Sequence, residues 1–388
     1  MNPLAISHFT YTSCLGAGNL ENWQAIESGN SGLKPCDFPN TDLPTWIGEV
    51  DHLDIRLPHQ WQEYDCRNNR LAWVALNQDG FISRANKLKE KYGADRIGVF
   101  MGTSTSGIYQ SELAYMESSS HLPDWYHLST THNISSISKF VQKVFSFRGP
   151  CLSISTACSS SAKVFASAQR AIVSGLCDAA IVGGVDSLCL TTLYGFHSLQ
   201  LLSTDPCQPF DQSRKGISIG EAGGFAILEK NPEADLFLLG FGESSDAYHM
   251  SSPHPEGEGA AMAMTMALQK ANLEKESIDY INLHGTGTIA NDAAESIAVS
   301  TAVGNETPAS STKGWTGHTL GAAGVIEACI CLQAIENNFL PKNQNINTVD
   351  ANTNIHILQQ SMRKKIRTAL SNSFGFGGSN ASLVLGKR

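Results

Sequence analysis

The chain contains a series of short, almost continuously apolar runs separated by segments of helical composition. They lie at residues 96–102, 151–155, 179–185, 225–229, 236–240, 279–284, 368–372 and 381–386. Apolar side chains on consecutive positions, rather than on alternate ones, are typical of strands buried on both faces. Helical segments at 158–174, 260–271 and 325–335 alternate with them. This alternation predicts an α/β fold with mainly parallel sheets that are covered by helices.

The two halves of the chain show the same order of features. In each half, a turn of small residues leads into an apolar helix, at 153–174 and at 310–335. Each half later has a Gly-Gly turn in a strand setting, at 183–184 and at 377–378. This pattern suggests an internal duplication. We predict an N-terminal half over residues 1–230 and a C-terminal half over 231–388, with the boundary at Asn231-Pro232.

The composition limits the classes of partner. Charged residues make up 16% of the 388 residues, so much of the surface should be buried in the fold or at an interface. The formal net charge of −9 argues against nucleic acid or an anionic membrane as the main partner. We see no apolar stretch of about 18 residues and expect no membrane span.

Ten cysteines are present, and none forms a Cys-x-x-Cys pair, which argues against a zinc ribbon or a thioredoxin-like site. A chain of this length builds a core without disulfides, and its first residues do not resemble a secretory signal. We therefore expect reduced thiols in a cytoplasmic protein, most of them buried as small apolar groups.

Cys158 is the cysteine in the most unusual setting. It lies in the segment STACSSSA (155–162), between a buried strand and a helix. A thiol at a helix N-terminus meets unpaired N–H groups and the positive end of the helix dipole, which favour the thiolate. The alternative is a structural cysteine at a tight strand–helix junction.

Two further segments place histidines beside glycines and threonines. In the segment LHGTGT (283–288), His284 follows a buried strand, and Thr286 and Thr288 could hydrogen-bond a linear polar ligand such as pantetheine. Taken alone, His284 could equally be a satisfied histidine before an ordinary turn.

The segment 311–324 carries Lys313 and His318 in one loop that opens an apolar helix. Glu327 on that helix could pair with Lys313 in a dry site, and the helix N-terminus would keep His318 neutral. Lys313 alone could be a solvated loop lysine.

The fourth segment is SNSFGFGGSN (371–380), in which Phe374 and Phe376 alternate with glycines that include Gly377. This backbone could move and could offer N–H groups to an oxyanion. The alternative is a glycine-rich hairpin with packed rings. Asp246, His249 and His254 form a cluster of a kind that can ligate zinc, but no second cluster has matching spacing, and we predict no metal.

The four segments, taken together and in this order, resemble the β-ketoacyl-acyl-carrier-protein synthases, the elongating condensing enzymes of the thiolase superfamily. Further matching pieces are GGVDS (183–187), PFDQSRKG (209–216), GEAGG (220–224), SSDAYH (244–249) and NDAAE (291–295). The resemblance covers residues 96–386 strongly and the first ninety-odd residues more loosely. It implies a duplicated, five-layered αβαβα sandwich with the site between the halves.

The resemblance also implies a reaction and roles. Cys158 would hold the growing acyl chain, and the Cys158 and Phe376 amides would form an oxyanion hole. His284 and His318 would assist the decarboxylation of malonyl-carrier protein, and Lys313 with Glu327 would organise them. The Claisen condensation would need no metal or redox cofactor.

Substrate contacts are implied in the same way. Thr286 and Thr288 would hold the phosphopantetheine arm. Phe374, Phe376 and Gly377 would line or gate the acyl pocket.

Some features depart from the usual family pattern, namely the shorter chain, Ser159–Ser161, GEAGG at 220–224 and the polar and aromatic segment 111–147, which we expect to be an irregular surface excursion. They favour a specialised synthase for a polyene or polyketide-like chain. Its partners would be an acyl carrier protein and either a second copy or a chain-length-factor-like homologue. Arg67, Arg70, Arg84 and Lys87 could contribute to carrier docking.

The alternatives are a non-catalytic scaffold or chain-length subunit, which the intact Cys158, His284, Lys313 and His318 argue against, and a CoA-dependent thiolase. A thiolase would need a second catalytic cysteine near the C-terminal glycine-rich turn, and no cysteine follows Cys331.

Overall fold

The computed structural model describes residues 1–118, 120–231 and 233–387. Pro232, where we place the boundary between the halves, therefore lies outside the described residues. The main strands are β1 Leu4–Ser13, β2 Ile97–Gly102, β3 Cys151–Ile154, β4 Ala179–Asp186, β5 Ala222–Glu229, β6 Leu236–Ser245, β7 Tyr280–Asn282, β8 Ala309–Ser310, β9 Thr368–Gly375 and β10 Ser379–Lys387. Shorter strands lie at Gly16–Ala17, Lys34–Pro35, Trp46–Gly48, Ile219–Gly220, Phe339–Leu340 and Met362–Arg363.

Helices connect and cover these strands. They are α1 Asn19–Ser28, α2 Arg67–Leu76, α3 Phe81–Tyr92, α4 Ile108–Glu117, α5 Ser136–Phe145, α6 Ser160–Val173, α7 Leu190–Ser198, α8 Glu258–Ala271, α9 Ile289–Ala302, α10 Lys313–Thr316 and α11 Ala323–Asn337. Single 3₁₀ turns include Leu320–Ala322 and Phe376–Gly378.

The strand order confirms the duplication. The first half is ordered β3-β2-β4-β5-β1 and the second β8-β7-β9-β10-β6, so each half places its own third, second, fourth, fifth and first strands side by side. In both halves the first three strands of this order are parallel and the last two pairings are antiparallel. The sheets are therefore mixed, and the expectation of mainly parallel sheets was wrong. The halves join where β1 pairs with β6 at Leu4–Leu238 and Ala5–Phe237.

Three hydrophobic cores separate the layers. Helices α6 and α11 are buried together between the two five-stranded units. Helices α2, α3 and α5 cover the outer face of the first unit, and α8 and α9 cover the outer face of the second. The order helices, sheet, helices, sheet, helices is the predicted αβαβα sandwich. Strands buried on both faces explain the continuous apolar runs of the sequence.

Two expectations about individual segments were wrong. The excursion at 111–147 was expected to be irregular, but it contains most of α4 and all of α5. Helix α5 buries Ile137, Phe140, Val141 and Phe145 on one face, a spacing that predicts a helix.

The segment Leu320–Asn337 is long and apolar enough to cross a membrane, contrary to our expectation that no such stretch exists, and 89% of it is buried inside the protein. It is apolar because α11 is the central core helix, which meets both sheets.

All ten cysteines have free thiols, and seven of them are buried. This matches the expected use of most cysteines as small apolar core groups.

Gly242 tests the packing of α8 on β6. A Cβ at this position would overlap the backbone carbonyl oxygen of Ala263 on α8. We expect Gly242→Ala to lower the free energy of unfolding by about 1–3 kcal/mol, because the helix must move away from the strand. Urea unfolding measures this change.

Gly195→Ala is the matched control, because a Cβ there meets nothing within 4 Å and the residue lies inside α7. It should be neutral or slightly stabilising. Equal losses in the two variants would contradict this account of the packing.

Candidate active site

Cys158 lies in a tight turn between β3 and α6. Ala157 adopts a positive φ of 51°, which is unusual for a residue with a Cβ. The Thr156 amide donates to Ser160 Oγ over 2.9 Å and closes the turn. The thiol is 5% exposed and borders a cavity. The strained turn therefore presents Cys158 just before the helix N-terminus, as predicted.

His284 follows β7 and is held through its backbone. The amides of His284 and Gly285 each donate to the Glu295 carboxylate of α9 over 2.7 Å. Lys313 Nζ lies 3.4 Å from His284 Nδ1. An ammonium group can only donate, so Nδ1 is the acceptor, and the ring proton is assigned to Nε2.

His318 lies in the loop between α10 and α11. The Leu320 amide donates to His318 Nδ1 over 3.3 Å, which assigns the ring proton to Nε2 here as well. His318 Nε2 lies 3.0 Å from Cys158 Sγ. The two rings are 5.4 Å apart between centroids. Each imidazole is thus oriented so that an Nε2–H donor remains for the reaction site.

Burial controls the charge of these groups. It lowers the pKa of His284 and of His318 well below the usual range, and Lys313 lowers both further. Both rings are therefore neutral at pH 7. Burial raises the pKa of the Cys158 thiol to about 11, opposed by Lys313 and by a hydrogen bond from the Phe376 amide. Loss of solvation therefore works against the thiolate that a helix N-terminus favours, and the thiol form predominates at pH 7.

Lys313 and Glu327 form a buried ion pair, with Nζ and Oε1 2.5 Å apart. Burial raises the pKa of Glu327 to about 7, against the opposing charge of Lys313. The pair was predicted from the sequence, and it holds the ammonium group against His284.

The turn Phe376–Gly378 covers the other side of Cys158. The Phe376 ring packs against Phe196 of α7 with centroids 5.6 Å apart, and the Phe374 ring packs against His284 at 5.9 Å. The Gly377 amide donates to the Met250 carbonyl oxygen over 2.8 Å. Gly377 does not line the cavity, unlike Phe374 and Phe376.

The cavity has a volume of about 310 Å³ and contains Cys158, His284 and His318 in its wall. Thr286 and Thr288 also line it, with their hydroxyl oxygens 2.9 Å apart. Thr288 Oγ1 in addition accepts the Asn291 amide and caps α9. Thr288 therefore has a structural task besides any contact with a ligand.

Two site residues were missed in the sequence. Phe196 gave no signal, because a lone aromatic in a helix has no distinctive pattern. Asn380 lay in a recognised segment, and only the structure joins it to Asp246, which the sequence suggested only as a metal ligand, through a hydrogen bond of 2.6 Å.

The metal hypothesis concerned Asp246, His249 and His254. In the part of the chain that the structure describes, the group whose donor atoms lie within 4.8 Å of one another is Cys158, His284 and His318, and these are the residues that could hold a zinc-like ion. Asp246 instead accepts the His254 amide, and the His254 ring packs on Tyr248.

Two of the arginines that we expected to dock the carrier protein already form ion pairs with carboxylates of this chain. Arg67 is paired with Glu49 and Glu221, and Arg70 is paired with Asp65. Neither these arginines nor Arg84 and Lys87 line the active-site cavity.

Comparison with known proteins identifies the class that this fold and site define. The N-terminal domain of the β-ketoacyl synthases matches residues 68–234, and their C-terminal domain matches residues 237–347. The chain is 32% identical to 3-oxoacyl-acyl-carrier-protein synthase 2 of Coxiella burnetii, over 99% of this chain and 98% of the relative. It is 37% identical to the mitochondrial synthase of Arabidopsis thaliana, over 95% and 90%. The chain therefore belongs to the β-ketoacyl-acyl-carrier-protein synthase family.

Two solved structures share the whole fold. One is a ketosynthase (ApeO) in complex with its chain length factor (ApeC) from Xenorhabdus doucetiae, at 40% identity, a TM-score of 0.92 and coverage of 100% of this chain and 98% of that one. The other is the ishigamide ketosynthase/chain length factor, at 25% identity, a TM-score of 0.89 and coverage of 100% and 99%.

The pH dependence of activity tests the buried pair. Below a pH of about 7 the Glu327 carboxylate becomes protonated, and Lys313 loses its counter-charge. We expect ketosynthase activity to fall as the pH falls through about 7, and Glu327→Gln to be slower at pH 8 and to lack this acidic limb. A pH–rate profile measures both. A limb that persists in Glu327→Gln would assign the titration to another group.

Proposed function

We propose that the chain catalyses the decarboxylative Claisen condensation of a Cys158-bound acyl chain with malonyl-acyl-carrier protein. The observation that carries this proposal is the convergence of the Cys158 thiol, two neutral imidazoles with Nε2–H donors, and a backbone amide in one cavity. This set can form a thioester and stabilise two successive oxyanions without supplying a proton.

In the first step, Cys158 attacks the thioester carbonyl of the acyl-carrier protein. A bond forms from Sγ to the carbonyl carbon, the bond from that carbon to the pantetheine sulfur breaks, and the thiol proton leaves with the pantetheine thiol. The Nε2–H of His318 and the Phe376 amide stabilise negative charge on Sγ during the attack. The acyl chain is left as a thioester on Cys158.

In the second step, malonyl-carrier protein binds and loses CO2. The electron pair of the breaking C–C bond forms an enolate, whose oxygen accepts the Nε2–H groups of His284 and His318. The enolate carbon then attacks the acyl thioester, and the Cys158 and Phe376 amides stabilise the resulting oxyanion. Its collapse releases β-ketoacyl-carrier protein, and the Cys158 thiolate takes up one proton.

These steps are redox-neutral, and the enolate oxygen is stabilised by side-chain donors. We therefore propose that the chain uses no metal or redox cofactor of its own and that its substrates arrive on phosphopantetheine. Thr286 and Thr288, at the wall of the cavity, would hydrogen-bond the amides of that arm.

The surface of the first half supports a dimeric partner. Helix α4 exposes Tyr115 and Met116, and α7 exposes Tyr194. The segment between α4 and α5 exposes Trp125 and Leu128. Among the residues that the structure describes, strand β3 lies at the end of the sheet, and its outer edge has no paired strand. Exposed apolar groups and a free sheet edge are typical of an interface.

We propose a heterodimer with a chain-length-factor-like homologue rather than a homodimer. Both solved ketosynthases described above occur with a chain length factor, and the first is more similar to this chain than is the Coxiella synthase. The same likeness supports a specialised chain, of polyene or polyketide type. Free thiols support a cytoplasmic location.

Acylation tests the nucleophile. Wild type incubated with an acyl-carrier primer should gain the mass of one acyl group, and Cys158→Ala should gain none, because the sulfur that forms the thioester is gone. Intact-protein mass spectrometry measures the adduct. Cys36→Ala, at a partly exposed thiol outside the site, is the control and should acylate normally. Acylation of Cys158→Ala would identify another nucleophile.

Subunit assembly tests the proposed interface. We expect Met116→Glu, at a side chain on the α4 surface, to prevent dimer formation and to abolish condensation, because the carboxylate would be desolvated in the interface. Light scattering of the chain with and without the homologue measures assembly. Met362→Glu, at a remote and partly exposed methionine, should have no effect. A full-size dimer with Met116→Glu would place the interface elsewhere.

A further inference from the structure

Lys163 connects the nucleophile helix to the turn that covers Cys158. It lies five residues after Cys158 on α6, and its Nζ donates to Ser379 Oγ over 2.6 Å. Ser379 directly follows the turn Phe376–Gly378. This contact therefore joins α6, which follows Cys158, to the turn whose Phe376 amide hydrogen-bonds Cys158 Sγ.

The surroundings of Lys163 make this hydrogen bond more than a surface contact. The side chain is partly buried, and burial lowers the pKa of the ammonium group. Glu243, the carboxylate whose charge acts on Lys163, is already paired with Arg170. In the described part of the chain, Ser379 Oγ is the hydrogen-bond acceptor of Lys163, so the loss of this partner would leave a partly desolvated ammonium group without a hydrogen-bond acceptor.

Contacts on the opposite side of the turn come from the segment after β6. The Gly377 amide donates to the Met250 carbonyl, and the Asp246 amide donates to the Gly378 carbonyl over 2.8 Å. These contacts tie the turn to a loop of the second half. Lys163 is the side chain that ties the same region to α6 of the first half.

The turn is also close to the nucleophile itself. A Cβ at Gly375 would lie 2.8 Å from the Thr156 carbonyl oxygen, so the chain before Phe376 rests directly on the Cys158 turn. Small displacements of the turn would therefore remove the Phe376 amide from Sγ and separate the Phe376 ring from Phe196. In the observed position of the turn, the Phe376 amide stabilises charge on Sγ and the Phe376 ring narrows the cavity.

We propose that Lys163 is a positioning residue, which holds the Phe376–Gly378 turn closed over Cys158 through Ser379 and thereby balances acyl entry against condensation. This inference rests on the proposed function. The contact favours the closed turn, which keeps the Phe376 amide aligned for the condensation step. Because the packed rings of Phe376 and Phe196 line the cavity, a long acyl chain that enters between them would displace the turn and break the contact.

The two half-reactions should respond in opposite directions when the contact is lost. We expect Lys163→Met to raise the rate of Cys158 acylation by a long-chain acyl-carrier protein by about threefold to tenfold, because opening becomes easier. It should lower the kcat of condensation by a similar factor, because the amide is less well aligned. Single-turnover acylation, followed by mass spectrometry, and steady-state condensation measure the two quantities separately.

Ser379→Ala removes the same hydrogen bond from the other side and should reproduce both changes. The double variant should change each of the two rates by no more than either single variant does. Lys163→Arg can still donate to Ser379 and should restore most of the wild-type balance. Lys270→Met is the control, since Lys270 shares the neighbouring Arg170–Glu243 region and packs on the Phe241 ring without touching the turn. It should leave both rates unchanged.

The outcomes separate this proposal from the proposed function. Acylation that fails in wild type would reject the function itself. Three results would reject the role of Lys163 while leaving the function intact. The rates of acylation and condensation could fall in parallel in Lys163→Met and Ser379→Ala, or both rates could stay unchanged in these variants. The third result is that the effects of the two substitutions add in the double variant.

Discussion

The close approach of the two central helices, α6 and α11, is the constraint on which the site depends. Ser161 Oγ accepts the Val325 amide over 3.0 Å, and Gly324 packs so closely that a Cβ would lie 2.5 Å from the Ala162 nitrogen. Each helix follows its own catalytic segment, with Cys158 before α6 and His318 before α11. Because the helices touch near their N-termini, a thiol from one half and an imidazole from the other come within 3.0 Å. The duplication thus creates the site by packing alone.

Burial in this central layer decides the charge states. A thiol and two imidazoles removed from water are all more stable neutral, and the pKa directions follow from this. Lys313 and Glu327 pair with each other behind His284, so their opposite charges compensate. The resulting site is rich in oriented donors and holds little net charge, which suits chemistry in which negative charge appears transiently on sulfur and then on oxygen.

Much of the fold followed from the apolar pattern, because strands covered on both faces need apolar side chains on consecutive positions. The sequence predicted the strands at 97–102 and 179–186 and the helices at 160–173 and 323–337 with ends correct to about two residues. It predicted the start of the strand at 236–245 but ended that strand at residue 240. The excursion was misjudged, although Ile137, Phe140 and Phe145 repeat at helical spacing, because polar and aromatic residues around them obscured the period. The long β1 was not predicted, since its neighbours in the sheet, β5 and β6, are more than two hundred residues away.

The sequence by itself determined which chemical groups are present and in what order, because Cys158, His284, Lys313 and His318 stand in segments whose composition serves close backbone approach and hydrogen bonding. Only the tertiary structure decided how these groups are charged and aimed. The protonation of Cys158 depends on burial by both halves, and the Nε2–H of each histidine depends on donors from Lys313 and Leu320. The contact between Lys163 and Ser379 joins residues 216 positions apart. Such contacts leave no local pattern, because they arise from the packing of two helices between two sheets rather than from neighbours along the chain.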